Sequence, residues 1–165
     1  MSTRACIGRM PEDRFVYHHW DGYPEALGKT LWDLYHGHFA GDLVRMLAVL
    51  IDEHPAGWSS IIQSDFSREP GYGRDPAPAC YCHGERSETG KPLPLARAAA
   101  SGCEFAYVFD PGAQTMIVLS SYTNGHKMIG MFGQGDPNAE WATLAELSLN
   151  GPEPDWKRLE GELEP

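Results

Sequence analysis

The chain has no run of about 18 apolar residues, so no segment reads as a membrane-spanning helix. Its longest apolar stretch, Leu43 to Ile51, is broken by Arg45. The first residues, Met1-Ser2-Thr3-Arg4-Ala5-Cys6, lack the apolar core of an export signal, and a cytoplasmic location is expected. Positive charge is scarce: 13 Lys and Arg stand against 23 Asp and Glu, for a net charge of −10. Such a balance repels polyanions and argues against direct binding of nucleic acid. The acids are scattered instead of arrayed like phosphates, apart from Glu153, Asp155, Glu160, Glu162 and Glu164 near the C-terminus. They read as a solvated surface. Cysteine is sparse, at four residues, and Cys80 and Cys82 are too close to bond each other comfortably. Reduced thiols or a metal site are therefore favoured over disulfides. Neither a phosphate-binding glycine motif nor an internal repeat is present.

What is present suits a folded domain. Apolar residues make up 42 % of 165 residues, with five Trp, seven Tyr and six Phe. That is enough to build a buried core. Alternation predicts strands over Thr3 to Met10 and Phe15 to His19, joined by Pro11-Glu12-Asp13. Pro24 suits the first turn of a helix running to about His38, with Leu27, Leu31, Leu34 and Tyr35 on its buried face. Asp42 can cap a second helix from Leu43 to about Glu53. Ser67 to Pro94 holds five prolines and four glycines and reads as a long loop. A short helix over Leu95 to Ser101 follows, then strands over Glu104 to Asp110 and Thr115 to Tyr122. A third strand is expected over Lys127 to Phe132, and a helix capped by Asp136 or Asn138 running to about Leu147. The expected fold is α+β, one domain over residues 1–150, with an antiparallel sheet and helices on one face. Residues 151–165 form a peripheral acidic tail from which Trp156 can dock on the core.

The densest chemistry lies in His18-His19-Trp20-Asp21-Gly22-Tyr23-Pro24, at a strand-to-helix junction. Unpaired N–H groups at a helix start favour an anion. Arg4, His19, Tyr23 and the amides near Glu25 and Ala26 could thus bind a phosphate or carboxylate, with His19 as acid or base and Asp21 orienting it. Turn chemistry competes with this reading. Asp21 can make an Asx turn, Gly22 can supply a positive φ, and Trp20 and Tyr23 can pin the junction to the core.

A second cluster is Cys80, Cys82 and His83. Thiolate and imidazole are the usual zinc ligands, but this C-x-C-H spacing is not the common C-x-x-C knuckle and needs a fourth partner, such as Cys103 or His126. A mobile loop with free thiols is the plainer alternative. His36 and His38 suit the C-terminal end of the first helix. Ser2, if exposed by loss of Met1, is a remote candidate nucleophile with nothing nearby in sequence to support it.

Thr3-Arg4, followed by His19-Trp20-Asp21-Gly22-Tyr23-Pro24-Glu25 and Gly28, resembles an uncharacterised family of small proteins from bacteriophages and bacterial mobile elements. The resemblance extends to Cys80-Tyr81-Cys82-His83-Gly84 and Tyr107-Val108-Phe109-Asp110. It implies an accessory protein in a bacterial cytoplasm and carries no activity. Three functions follow. The first is a protein that binds a host protein, of counter-defence or host-takeover type, for which a basic partner would suit the charge. The second is an enzyme or binding protein for a small phosphate-bearing molecule such as a nucleotide, using the His19–Pro24 junction. The third is a zinc-stabilised interaction module built on Cys80, Cys82 and His83.

Overall fold

A computed structural model describes residues 3–121 and 141–161. Strands β1 (Ala5–Arg9) and β2 (Arg14–His18) form the expected hairpin, with Ala5 opposite His18 and Arg9 opposite Arg14. Gly8 lies opposite Phe15, and the Phe15 ring fills the space where a Cβ on Gly8 would stand. The chain then enters a π-helical turn, Pro24–Gly28, which runs into α1 (Lys29–His36). Helix α2 (Leu43–Leu47) starts where the Asp42 carboxylate accepts from the Arg45 amide at 3.0 Å, and it continues as a second π-helical turn, Ala48–Asp52.

Two short strands follow: β3 (Trp58–Ser60) and β4 (Ala79–Cys80). Neither was legible in the sequence, and β4 lies inside the 67–94 loop. Helix α3 (Leu95–Ala100) leads to β5 (Phe105–Asp110) and β6 (Thr115–Ser121), both where alternation placed them. The remaining elements among the described residues are β7 (Trp141–Ser148) and α4 (Trp156–Gly161). The seven strands form one sheet in the order β4-β3-β2-β1-β5-β6-β7.

The fold is α+β, as expected, and the sheet is mixed. The β1–β2, β3–β4, β5–β6 and β6–β7 pairs are antiparallel, whereas β1–β5 and β2–β3 are parallel. The helices also divide. Helices α1, α2 and α4 cover the face that presents Ala5, Ile7, Tyr107, Phe109 and Val118. Helix α3 instead packs Leu95 and Ala98 against Cys6, Phe15, Ala106 and Val108 on the other face. Alternation explains the split, because even and odd residues of β1 and β5 feed opposite faces. Trp156 docks as expected: it is buried, its ring is 6.1 Å from that of Trp32, and its edge occupies the space above Gly28.

One expected element is wrong. The helix predicted to end near Leu147 is β7, which extends the sheet beyond β6. Val118 faces Ala145 and Leu119 faces Thr143, so Leu144 is an extra residue and the register shifts there. A one-residue bulge flips the faces. Ala145 and Leu147 reach the large core, whereas Trp141 reaches the smaller cluster under α3. The strand period is broken in mid-element, which left the Ala, Leu and Glu content to suggest a helix. The strand expected over Lys127 to Phe132 lies outside the described residues. Among the described residues no helix is long and apolar enough to cross a membrane.

Candidate metal centre

Cys80 ends β4, at one edge of the sheet, and pairs across from Trp58. The strand ends at Cys80, and the bend over residues 81–83 brings Cys82 and His83 back beside it. The Tyr81 and Tyr72 rings stack at 6.2 Å, and the Arg86 guanidinium lies about 5 Å from both. The backbone then turns through Gly84, with a φ of +75°. A Cβ there would stand 2.3 Å from the Tyr72 carbonyl oxygen, so the turn requires glycine. Tyr72 and Glu85 donate amides to His83 and Tyr72 carbonyls, which fixes the turn and the position of His83.

The fourth residue is His54. It follows the π-helical turn Ala48–Asp52, and its carbonyl accepts from the Gly57 amide at 3.0 Å. The Trp58 ring packs against its imidazole at 4.7 Å and anchors itself by donating from Nε1 to the Leu50 carbonyl. The metal-binding atoms of His54, Cys80, Cys82 and His83 all lie within 4.8 Å of one another. Cys80 Sγ is 3.5 Å from His83 Nδ1, and Cys82 Sγ is 3.5 Å from His54 Nδ1. Tetrahedral zinc, with bonds of roughly 2.3 Å to sulfur and 2.05 Å to nitrogen, separates such donors by about 3.6 Å.

The electrostatics of the cluster favour neutral groups. Burial pushes the Cys82 thiol up to about 11, helped by Cys80 beside it. Burial also pulls His54 down to about 4, and His83 adds to this. A neutral imidazole is a ready ligand, and a divalent cation supplies the charge that a thiolate needs. Two sulfurs and two imidazoles are a borderline-soft donor set that suits zinc.

The cluster is graded in exposure. Cys80 is 0 % exposed and His54 6 %, Cys82 is partly buried, and His83 is exposed. The imidazole side opens on a hollow of about 230 Å³ lined by His54, His83, Glu53, Glu69 and Pro70. A larger cleft of about 410 Å³ shares four of these residues: Glu53, His54, Glu69 and Pro70.

The structure thus brings together the three sequence-predicted ligands and adds His54. It places Cys103 elsewhere, in the cluster on the other face of the sheet with Cys6. There Cys103 hydrogen-bonds the Cys6 thiol, whose pKa burial raises. His126 lies outside the described residues.

The other cluster is arranged as follows. His19 donates its amide to the Trp58 carbonyl, and Trp20 donates to Ser59. The partner on His19 Nδ1 is the Tyr17 hydroxyl at 2.6 Å, not Asp21. Burial pushes the Tyr17 hydroxyl up to about 12. The His19 pKa is lowered by burial and then by nearby Arg4. Asp21 turns the chain at a φ of +54°. The Gly22 amide donates to Thr3, and its carbonyl accepts from the Tyr107 hydroxyl at 2.7 Å. Tyr23 is half-buried against the core, and its carbonyl accepts the amides of Ala26 and Leu27, so the Ala26 amide is already bonded inside the turn. His18, next to the proposed site, is wholly buried, and its Nε2 accepts from the Ile61 amide. The chain matches no known family model, no curated protein and no solved structure.

Proposed function

We propose that the protein is a zinc-stabilised binding module, with His54, Cys80, Cys82 and His83 as the metal ligands. The observation that carries this reading is the convergence of four donors from two distant segments within 4.8 Å. Residues from the end of the second helix and from the Pro- and Gly-rich segment would be clamped to the short edge strands β3 and β4. A two-residue strand supplies little stability of its own. A metal crosslink at that point would hold the loop and shape the cleft beside it. The net charge of −10 supports a basic protein as the partner, and the resemblance to phage proteins supports one from a host cell.

Native mass spectrometry of the full chain, purified without chelator, tests the reading. It should show one bound zinc. Chelation should lower the melting temperature by on the order of 10 °C, since a structural zinc contributes several kcal/mol to folding. A metal-free mass together with melting unaffected by chelator would sink it.

A further inference from the structure

The metal centre does not sit in a closed shell. Its sulfurs face the core, while His54 and His83 face the two adjoining hollows. His83 is the exposed ligand, and its side chain has open space to swing into. We propose that His83 is an exchangeable ligand and that the centre takes a planar nitrogen heterocycle from the cleft in its place. This rests on the metal reading above.

Three features select that class of ligand. Two thiolates and two neutral imidazoles leave a zinc centre without net charge. The cleft is lined by Asp42, Glu53 and Glu69 against Arg45 and Arg68, and Arg45 is already held by Glu53 at 2.7 Å. An incoming anion is therefore disfavoured, and a neutral donor is preferred. The wall opposite is aromatic. Phe39 and Phe66 rings stand 6.0 Å apart, and the His38 ring is 4.7 Å from Phe39 and 5.8 Å from Phe66. Such a wall offers faces and edges to a flat ring. His54 lines both hollows, so a flat ligand lying against this wall borders the metal centre. A ring nitrogen is also the donor type that His83 would vacate, and zinc tolerates expansion to five ligands during such an exchange.

The test uses the full chain loaded with cobalt(II), whose visible absorption reports coordination. Imidazole and benzimidazole are the probes, with azide as the anionic control. The proposal expects both heterocycles to shift the band, benzimidazole binding roughly tenfold more tightly through its stacking surface, and azide to have little effect. Phe66→Ala should erase the preference for benzimidazole. His83→Ala should keep cobalt and bind benzimidazole at least as tightly as the parent. A cobalt band that neither heterocycle moves would overturn the proposal and mark a closed structural centre. So would equal affinity for the two heterocycles, tighter binding of azide, or loss of cobalt from His83→Ala. Failure of the parent chain to take up cobalt or zinc at all would instead overturn the metal reading beneath it.

Discussion

Gly22 shows how a residue that reads as chemistry in sequence can act as a joint. A Cβ there would stand 2.6 Å from the Ala5 Cβ and 2.7 Å from the Thr3 carbonyl oxygen. The backbone must come that close because Gly22 also receives the buried Tyr107 hydroxyl on its carbonyl. Much of the distinctive His18–Pro24 pattern is therefore accounted for by how the hairpin is tied to the sheet and the first helix. Tyr107→Phe leaves that carbonyl without its hydroxyl donor and should destabilise the protein by about 1–3 kcal/mol. Chemical denaturation measures this directly, and a change within error would show the bond to be replaceable. The candidate metal ligands have the opposite history. Cys80, Cys82 and His83 were legible because they are zinc-ligand residue types adjacent in sequence. His54 was not, because it is 26 residues upstream of Cys80 and its approach depends on a β3–β4 pairing that no local pattern announces. The one signal available was a histidine just past the end of an apolar helix, and His36 and His38 stand at the end of the first helix in much the same way.

At the scale of elements, legibility followed regularity. The β1–β2 and β5–β6 hairpins keep a strict period of two and were read to within two residues at each end. Both π-helical turns were read as ordinary helix, since the same apolar spacing serves either winding over five residues. Strand β7 was misread because its bulge at Leu144 changes the faces in mid-strand. The parallel β1–β5 pairing joins segments about 100 residues apart, and only tertiary packing can specify it. Helix α4 is held chiefly by one side chain. Trp156 is buried against Trp32 and Gly28, and its Nε1 donates to Glu153, which also pairs with Lys29 at 3.1 Å. Trp156→Ala should cost about 3–5 kcal/mol, in the range of large aromatic deletions from a core. It should also open the amides of 156–161 to hydrogen exchange while those of β5 stay protected. Uniform loss of protection across β5 would mean that α4 is part of the cooperative core.

For the molecule as a whole, His18 links folding to pH. It is 0 % exposed; Nε2 accepts the Ile61 amide, and Nδ1 carries a proton without any partner among the described residues. Burial, with a smaller contribution from neighbouring His19, lowers its pKa from 6.5 to about 3. The unfolded chain therefore binds a proton on His18 below about pH 6.5 that the folded chain refuses until about pH 3. Stability is full above 6.5 and falls as pH drops through that window, with a limiting slope of about 1.4 kcal/mol per pH unit for this one group. His54 titrates in the same direction in the metal-free chain, so the contribution of His18 must be isolated by difference. His18→Gln keeps an acceptor for the Ile61 amide and removes the titration. Its stability relative to the parent, measured by urea denaturation of both proteins with chelator present, should improve steadily from pH 7 to pH 4.5. A difference that stays constant across that range would mean that the folded protein accommodates a protonated His18, by water or by local opening, and that the buried imidazole is no barrier to acid.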